Sequence, residues 1–429
     1  MNLLVIGGGG REHAIVWKAS HSEKVKKIYV IPGNPGMEIE DKVILANIKN
    51  PSNQNYVKFA KDHDVDLTII GPEAPLVDGI VDDFEKNNLA IFGPNKSAAQ
   101  LEGSKDFRKK ILNSGNILTA KHKSFDNSIS AINFIKKQNM PIVIKADGLA
   151  AGKGVFILED KEKSYKLIND LFTGRIDGVK PAKIIIEEFL KGEEASFICL
   201  VSGDQVLPLA SSKDHKKLNN GDNGPNTGGM GAYSPTKLID DKLSNIVIEK
   251  IIKPTIKELN RNNIVYHGFL YAGLMIDKNN NPYVLEYNCR LGDPEAQAIL
   301  MRLDSDIIEM FQATINSSLD NISIKWKAES ACTIVLASEG YPGKYEKNKK
   351  IEGLDHDIEN IKVFHSGTKL ENGNFLTNGG RVLAVTALGV NLQVAQAKAY
   401  DRCNQISWEG KFKRHDIAEK EINNKFIFS

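Results

Sequence analysis

The first hundred residues alternate short apolar runs with stretches of helical periodicity. The apolar runs cover residues 3–6, 28–31, 67–70 and 89–92. Each run is bounded by glycine or proline, a pattern typical of buried parallel strands in an α/β domain. Loops rich in glycine, proline or asparagine follow them, at residues 7–10, 32–36, 71–75 and 93–95. Because ligands bind at the carboxyl ends of parallel strands, the four loops predict a binding site at that edge.

The pattern changes after about residue 101. A helix predicted around 104–112 leads to strand-like runs at 141–145, 183–188 and 195–201, a helix at about 240–260, and a hairpin formed by 269–276 and 283–290. After residue 326, strand-like runs at 333–337 and 381–388 precede a helix-like stretch at 392–405. These changes predict a multidomain protein of the α/β and α+β classes, with domains at 1–102, 103–325 and 326–429.

Composition narrows the classes of protein. The 429 residues are 41% hydrophobic and 26% charged, with a net charge of only +2, as in a soluble globular protein. The lysines are dispersed, so electrostatics gives no support to a nucleic-acid or membrane partner. The four cysteines lie far apart, which argues against a disulfide framework or a zinc site. Met1 leads straight into a predicted strand and no apolar run nears the roughly 18 residues that span a bilayer, so we expect a cytoplasmic protein.

A strand followed by four glycines first suggests a dinucleotide-binding fold. That motif needs a small residue at its third glycine position, but counting from Gly7 or Gly8 the position is Glu12 or His13. The second predicted strand also lacks a terminal acid for the ribose hydroxyls. What remains is a glycine turn opening a helix, with Arg11 just inside it, which favours a phosphate on the backbone N–H groups. A tight turn with a solvated arginine explains the same pattern equally well.

A second glycine-rich segment covers residues 144–155 and holds two lysines and three glycines. It is not a Walker A loop, because it contains no Gly-Lys-Ser/Thr sequence. Its order of strand, flexible loop and strand predicts a lid that closes over a triphosphate, with Lys145 and Lys105 as cations. A mobile surface hairpin, in which the glycines are only turn formers, is the alternative.

The strand-like run that ends in Glu187 and Glu188, with Glu194 shortly after it, is a third candidate. An apolar strand leading into an acidic turn suits an adenine held by backbone groups, with a carboxylate on the ribose. Solvated turn glutamates explain the run as well, and for the segment taken alone this is the favoured interpretation.

Alternation along residues 283–290 predicts that Glu286, Asn288 and Arg290 share one face of a strand. Leu285, Tyr287 and Cys289 would lie on the opposite face. An exposed sheet face is the alternative interpretation. Carboxylate and amide oxygens are the ligands that Mg²⁺ selects, with triphosphate oxygens completing its shell. Arg290 would neutralise charge that develops on the transferring group.

Two polar segments, residues 212–216 and 224–233, precede this strand. Successive glycines in the second let a backbone approach a small polar substrate closely. His215 is a lone histidine in a polar loop, so we expect it to be solvated and assign it no catalytic role. Cys289 is expected to be a small buried hydrophobe rather than a nucleophile.

The order of these motifs resembles the phosphoribosylamine–glycine ligase family of ATP-grasp enzymes. The matching runs cover residues 9–14, 71–76, 100–105, 145–155, 224–235, 288–295 and 377–383. The resemblance implies an N-terminal Rossmann-like domain, an ATP-grasp core with a small lid at about 122–192, and a C-terminal β-rich domain. It also implies ATP-dependent ligation of glycine to 5-phospho-β-D-ribosylamine in purine biosynthesis, through a glycyl phosphate. ATP and Mg²⁺ or Mn²⁺ are the implied cofactors, and a monomer or weak homodimer is expected.

The resemblance assigns candidate roles residue by residue. ATP binding is implied for Lys105, Lys145, Gly148, Gly152, Gly154, Glu187, Glu188, Phe189, Leu190 and Glu194. Metal binding is implied for Glu286 and Asn288, and catalysis for Arg290 and Lys145. Substrate binding is implied for Gly9, Gly10, Arg11, Glu12, Asn34, Glu73, Asp214, Gly228, Gly229, Met230, Arg290, Gly379 and Arg381.

Several positions depart from the family pattern. Gly8 replaces a residue that is often polar, Leu291 stands where phenylalanine is common, and Ala418 stands where glycine is frequent. The run 269–276 has no acid, so the metal would depend more on Glu286.

Two rival functions are open at this stage. An ATP-grasp ligase for another acid or amine is disfavoured by the N-terminal loops 7–13 and 71–75. A non-catalytic nucleotide sensor is disfavoured by the presence of Glu286, Arg290 and Lys145.

Overall fold

The computed structural model describes residues 1–149, 154–176, 179, 181–354 and 358–426. The candidate ATP-binding residue Gly152 lies outside the described residues. No helix in these ranges is both long and apolar enough to cross a membrane.

The N-terminal region is a parallel five-stranded sheet, in the order β3-β2-β1-β4-β5. Its elements are β1 (Asn2–Gly7), α1 (Gly10–Ser20), β2 (Lys27–Pro32), β3 (Val43–Leu45), α2 (Asn53–Asp62), β4 (Leu67–Ile70), α3 (Glu73–Asp78), α4 (Ile80–Lys86), β5 (Ile91–Phe92) and α5 (Lys96–Gly103). Leu3 and Val5 of β1 face the core that contains α1, whereas Leu4 and Ile6 face the core that contains α2 and α4. Burial on both faces explains why the strand is apolar throughout.

All four strands predicted for this region are present, and the α/β fold class is confirmed. The last strand is shorter than predicted, since only Ile91 and Phe92 pair with β4. The strand β3 was not predicted, because Ile44 at its centre is exposed and the run has only three residues.

The middle region contains two antiparallel sheets of four strands each. Its first part holds α6 (Lys105–Ser114), β6 (His122–Phe125), α7 (Ser128–Ile135), β7 (Ile142–Ala146), β8 (Val155–Leu158), α8 (Lys161–Thr173) and β9 (Ile184–Glu188). These strands form a small sheet in the order β6-β9-β7-β8, with a core of its own under α7 and α8. This sheet corresponds to the predicted lid.

The second sheet of this region has the order β11-β10-β16-β17. The elements from here to the C-terminal region are β10 (Glu193–Ser202), β11 (Gln205–Pro208), β12 (Lys213–Asp214), β13 (Lys217–Asn219), β14 (Asn223–Asn226), β15 (Gly231–Ser234), α9 (Asp241–Val247), α10 (Lys253–Arg261), β16 (His267–Ile276), β17 (Pro282–Asn288), α11 (Glu295–Arg302) and α12 (Ile307–Ile315). The predicted continuous helix at 240–260 is divided, because a π-helical turn (Ile248–Ile252) separates α9 from α10. Pro254, at the start of α10, has no N–H to continue the α-helical bonding.

The C-terminal sheet has the order β12-β15-β18-β22-β19, with β23 paired to β18. Its elements are β18 (Ser330–Ser338), β19 (Ile361–His365), β20 (Thr368–Glu371), β21 (Asn374–Thr377), β22 (Arg381–Gly389), α13 (Leu392–Gln405), β23 (Lys411–Phe412) and α14 (Glu419–Ile422). Two of its strands, β12 and β15, come from the middle of the chain. They join the glycine-rich segment at 224–233 to the C-terminal region, so a division at residue 326 stays a prediction.

Candidate active site

A buried cluster of charges lies between the lid and the rest of the middle region. Glu187 on β9 accepts an ion pair from Lys145 on the neighbouring strand β7, with Nζ 2.8 Å from Oε2. Lys109 of α6 approaches the other carboxylate oxygen at 3.1 Å. Only 3% of the Glu187 side chain is exposed, so the interpretation of this residue as a solvated turn glutamate is wrong.

The electrostatics of this cluster follow from its burial. Burial alone would raise the pKa of Glu187, but Lys145 and then Lys109 lower it to about 2. Burial lowers the pKa of Lys109 to about 8, although Glu187 opposes that shift. Two buried ammonium groups therefore share one carboxylate. The excess positive charge suits an anion such as a phosphate.

Lys105 begins α6 beside the lid loop. Its Nζ donates to the carbonyl of Gly148 at 2.8 Å, and its backbone N–H donates to Asp147 Oδ1 at 2.7 Å. Burial, followed by the charge of Arg108, lowers the pKa of Lys105 to about 8. On the far side of the loop, the Gly154 carbonyl accepts from the Ala146 N–H at 2.8 Å. The lid loop thus starts and ends next to the predicted phosphate cations.

The segment after β9 connects the two sheets. Glu188 is exposed and accepts from the backbone N–H of Lys121 at 2.8 Å. Phe189 and Leu190 are half-buried. Glu194, at the start of β10, pairs with Lys216 at 3.4 Å. The acidic turn therefore lies along the connection between the two sheets, and its adenine and ribose roles stay predictions.

Glu286 on β17 is held by a lysine that the sequence did not single out. Its Oε1 lies 2.9 Å from Lys216 Nζ. Lys216 is the main cause that lowers the pKa of Glu286 to about 2, so the carboxylate is ionised at neutral pH. The side chain needs the glycine opposite it on β16, because a Cβ at Gly273 would lie 2.9 Å from Glu286 Cγ.

The predicted shared face holds for Glu286 and Asn288, with Tyr287 buried on the other side of β17, but the prediction needs a correction at Leu285 and Arg290. The ladder between β16 and β17 is irregular: Gly273 pairs with Glu286, but Leu274 pairs with Val284, which leaves Leu285 without an opposite residue. This bulge puts Val284, not Leu285, in the buried core. Arg290 lies beyond the end of the strand, so its position is set by ion pairs rather than by strand alternation.

Arg290 links three parts of the chain. Its Nη2 lies 2.7 Å from Glu102 Oε1 at the end of α5, and its Nε lies 3.3 Å from Glu73 Oε2 at the start of α3. Although burial opposes it, Glu102 and then Glu73 raise the pKa of Arg290. Asn288 joins the group: its neighbours Glu102 Oε1 and the Tyr287 carbonyl are both acceptors, so they require the amide orientation in which its nitrogen donates to Glu102 Oε1 at 3.1 Å. The loop after β4 therefore meets the strand that carries Glu286.

The glycine turn after β1 is stabilised by hydrogen bonds within the protein. The N–H of Gly9 donates to Glu12 Oε2 at 2.7 Å, and Arg11 Nε donates to the other oxygen of Glu12 at 2.6 Å. Arg11 Nη1 also donates to the carbonyl of Leu291 at 3.2 Å. The interpretation of Arg11 as a solvated arginine is wrong, because 9% of its side chain is exposed.

Asn34, from the loop after β2, uses its side chain to hold this edge together. Its amide donates to the carbonyls of Gly8 at 2.9 Å and His365 at 2.8 Å, and it accepts from the Gly36 N–H at 3.0 Å. Three of the four predicted loops therefore meet at the edge of the sheet. The fourth is used for packing, since Gly93 and Pro94 contact Gly268 of β16.

Asp214 on β12 lies against the glycine-rich segment at Gly229. Its Oδ1 is buried and has no hydrogen-bond partner among the described residues. Burial, followed by the charge of Glu295, raises its pKa well above the ordinary value. A Cβ at Gly229, whose φ is +112°, would lie 2.7 Å from that oxygen and 2.4 Å from Pro294 Cδ. The backbone at Gly229 therefore packs directly against the Asp214 carboxyl group.

Arg381 holds the glycine-rich segment in place next to Asp214. Its Nη1 donates to the carbonyls of Gly228 at 2.7 Å and Asp293 at 2.6 Å, and its Nη2 lies 3.0 Å from Asp293 Oδ2. The side chain of Met230 is fully buried, and its backbone N–H donates to the carbonyl of His215 at 2.9 Å. Gly379 packs against Gly367 just before β22, and its carbonyl accepts from Ser338 Oγ at 3.0 Å. Gly10, the first residue of α1, packs beside Gln297 of α11.

His215 was expected to be solvated, and this is wrong. It is buried beside Tyr233, and its Nε2 accepts from the Ala418 N–H at 3.3 Å. Burial lowers the pKa of His215 to about 3, so the ring is neutral.

Cys289 is buried as predicted, and burial raises the pKa of its thiol well above the ordinary value.

Sequence reasoning missed Glu102, Lys109 and Lys216 as site residues. Helical spacing could have indicated Lys109, because it lies one turn after Lys105 on the same face of α6. Glu102 had a weaker signal, a charged residue among the buried positions of α5. Lys216 had none, since its partner Glu286 lies 70 positions away along the chain.

Comparisons with known proteins agree with this arrangement over nearly the whole chain. Phosphoribosylglycinamide synthetase domains match in order: the N domain at residues 1–102, the ATP-grasp (A) domain at 103–296 and the C domain at 331–420. The phosphoribosylamine–glycine ligase of Vibrio vulnificus (strain CMCP6) is 48% identical over 423 residues, 98% of this chain and 99% of the relative. That of Neisseria meningitidis serogroup B (strain ATCC BAA-335 / MC58) is 47% identical over 424 residues, 99% of this chain and 100% of the relative.

Solved structures show the same architecture. The crystal structure of phosphoribosylamine–glycine ligase from Thermotoga maritima aligns with a TM-score of 0.85 at 32% identity, covering 97% of this chain and 100% of that chain. The biotin carboxylase domain of Hydrogenobacter thermophilus 2-oxoglutarate carboxylase, solved with magnesium ADP, aligns with a TM-score of 0.74, covering 96% and 91%. At 15% identity, that second likeness shows the fold alone.

The two antiparallel sheets with buried lysines between them define an ATP-grasp ligase, a class that binds ATP. Within that class, the chain belongs to the phosphoribosylglycinamide synthetase family, also named phosphoribosylamine–glycine ligase.

Proposed function

We propose that this chain catalyses the ATP-dependent ligation of glycine to 5-phospho-β-D-ribosylamine, a step of purine biosynthesis. The products are glycinamide ribonucleotide, ADP and phosphate. Relatives that carry this activity in their name are 48% identical over nearly the whole chain. The structural observation that supports it most is Arg290, whose ion pairs hold the N-terminal loop at Glu73 beside the strand of Glu286. A sugar substrate at the first and a nucleotide at the second would meet there.

The chemistry needs two group transfers. A carboxylate oxygen of glycine attacks the γ-phosphorus of ATP; an O–P bond forms, and the bond to the β-phosphate oxygen breaks as ADP leaves. The amine nitrogen of the sugar then attacks the carbonyl carbon of the glycyl phosphate. A C–N bond forms, the C–O bond to phosphate breaks, and the nitrogen loses a proton. Positioning and charge neutralisation supply most of the catalysis in such reactions, so no protein nucleophile is required.

The nucleotide is assigned to the cluster around Glu187. Lys145 and Lys105 would bind phosphate oxygens, since both are cations at the lid loop. Gly148, Gly152 and Gly154 would let the loop close over the phosphates. Backbone groups at 188–190 would bind the adenine, with Glu194 on the ribose.

Glu286 and Asn288 fit a divalent cation. Glu286 is ionised, and the amide nitrogen of Asn288 faces Glu102 and Tyr287, which leaves the amide oxygen as the metal-type donor. Two protein oxygens with the rest from phosphate and water suit Mg²⁺, and Mn²⁺ accepts the same donors. The bound ion would neutralise charge on the phosphate chain. Magnesium ADP in the domain of similar fold from Hydrogenobacter thermophilus supports this choice.

The substrates are assigned to the remaining groups. The Oδ1 of Asp214, which has no hydrogen-bond partner among the described residues, would accept a hydrogen bond from the ammonium group of glycine. Arg290 would stabilise the negative charge on the acyl phosphate. The sugar phosphate would lie against Gly9, Gly10, Arg11 and Glu73, with Arg381 and the Gly228–Gly229 backbone closing the other side.

Transfer of labelled oxygen tests the proposed mechanism. Glycine with heavy oxygen in its carboxylate is incubated with ATP, Mg²⁺ and phosphoribosylamine, and the phosphate is analysed by mass spectrometry. One heavy oxygen per phosphate is expected, because the C–O bond of the acyl phosphate breaks. Unlabelled phosphate, formed at the same rate as the ligated product, would exclude the glycyl phosphate.

The division into domains at 103 and 326, a cytoplasmic location and a monomeric or weakly dimeric state remain part of this proposal. Gel filtration over a range of protein concentrations would test the last of these.

A further inference from the structure

Arg108 is a buried arginine whose charge has no partner among the described residues. It lies on α6, and only 3% of its surface is exposed. Its Nε is buried without a hydrogen-bond acceptor, and no carboxylate of the described residues lies within ion-pairing distance of its guanidinium. An unpaired buried charge is costly, so a group of this kind indicates a position where an anion binds.

The position of Arg108 on its helix indicates which kind of anion it binds. Lys105, Arg108 and Lys109 occupy one face of α6, at spacings of three and four residues. The two lysines have protein partners, the Gly148 carbonyl and the Glu187 carboxylate. Arg108 is the member of this face without one in the described part of the chain. Its guanidinium therefore lies in the row of cations that borders the proposed nucleotide site.

Electrostatics place the guanidinium among the same groups. After burial, Arg108 is the largest cause of the lowered pKa of Lys105. Its charge also contributes to the lowered pKa values of Glu187 and Glu286, which lie on two different sheets. A cation that acts on both carboxylates lies between the lid and β17, where a polyphosphate would pass.

We propose that Arg108 binds phosphate oxygens of the nucleotide, as a further binding residue of the ATP site. The inference rests on the proposed function only in its assignment of the nucleotide to this site. A guanidinium presents two parallel N–H donors to a phosphate, a geometry that the lysines cannot provide. Until a nucleotide arrives, the buried charge destabilises the protein. This predicts opposite effects of one substitution on stability and on binding.

The test compares Arg108→Met with Lys110→Met. Methionine keeps much of the arginine length without its charge. Lys110 is a matched control: it lies on the same helix with 70% of its side chain exposed and pairs with Asp106 at 3.1 Å. ADP binding is measured by calorimetry with Mg²⁺, adenosine binding by competition with a fluorescent ADP analogue, and stability by the thermal midpoint without nucleotide. Arg108→Lys is measured in parallel.

Arg108→Met is expected to weaken ADP binding by about ten- to a hundredfold, the range for a hydrogen bond to a charged group. Adenosine binding should stay unchanged, and the thermal midpoint without nucleotide should equal or exceed that of the wild type. Arg108→Lys should recover part of the ADP affinity, and Lys110→Met should match the wild type.

A lower midpoint with unchanged ADP affinity would overturn the inference and make Arg108 a structural residue. Equal weakening of ADP and adenosine would also overturn it, because the lost contact would not be to phosphate. The proposed reaction is tested separately. A wild-type chain that binds ADP but does not join glycine to the sugar amine would contradict that reaction and leave the role of Arg108 standing.

Discussion

Replacement of Glu187 by glutamine tests the buried charge cluster. The substitution keeps the shape of the side chain and removes the carboxylate that two buried lysines share. The lowering of its pKa from the ordinary 4.5 to about 2 corresponds to roughly 3 kcal/mol of stabilisation at neutral pH. Removal of one partner from a buried ion pair costs about 3–5 kcal/mol, a range that agrees with this value.

The expected effect can be followed by urea unfolding. With a slope of about 3 kcal/mol per molar urea, Glu187→Gln should lower the midpoint at pH 7 by roughly 1 M. A carboxyl whose folded pKa is lowered stabilises the fold above its unfolded pKa and loses this effect as the pH falls through the folded value. The difference between wild type and variant should therefore shrink between pH 4.5 and about 2. At pH 3 it should be about 1 kcal/mol.

Glu188→Gln is the matched control for this experiment. Glu188 is the next residue of the same strand, but it is exposed, and glutamine can still accept from the Lys121 N–H. This control should unfold at the wild-type midpoint. If Glu187→Gln also unfolds at the wild-type midpoint at pH 7, or if its deficit does not change with pH, the account of a buried charge cluster is refuted.

Further substitutions test the assigned roles. Glu286→Gln should abolish ADP formation and leave the circular dichroism spectrum unchanged, and full activity would remove the metal assignment. Arg290→Lys should lower kcat far more than ATP affinity, because a point charge cannot pair with Glu73 and Glu102 as a planar guanidinium does; weaker ATP binding alone would give Arg290 a different role. Arg11→Ala should raise the KM for phosphoribosylamine selectively, and an unchanged KM would place the sugar phosphate elsewhere. Asp214→Asn should raise the KM for glycine by about ten- to a hundredfold while ATP affinity is retained. An unchanged KM would show that Asp214 does not bind the ammonium group of glycine.

The fold was predictable because its strands carry a local signal. The run from Leu67 to Ile70 is buried on both faces and is apolar throughout, so its burial can be read from adjacent residues. The strand β12 (Lys213–Asp214) has no such signal, since it has two residues, both of them charged. Its membership of the C-terminal sheet depends on pairing with β15 and, through β15, with β18. Local periodicity gives no information on which distant strands pair with each other.

The site was predictable in its residue types but not in its pairings. Lys145 and Glu187 were both expected near ATP, but the sequence does not show that they pair in the protein interior. Strand alternation failed at Leu285, because it assumes a regular ladder and the bulge there shifts the phase by one residue; Glu286, Tyr287 and Asn288 alternate as predicted. Gly273, which the side chain of Glu286 requires on the opposite strand, could be recognised as a signal only after the register was known.

The central claim is tested most directly by ADP release with ATP, Mg²⁺, glycine and freshly prepared phosphoribosylamine, each omitted in turn. The account predicts that ADP appears only when all four are present, in equal amounts with phosphate and glycinamide ribonucleotide. ADP release without the sugar amine, or only with an acid other than glycine, would contradict the named substrates.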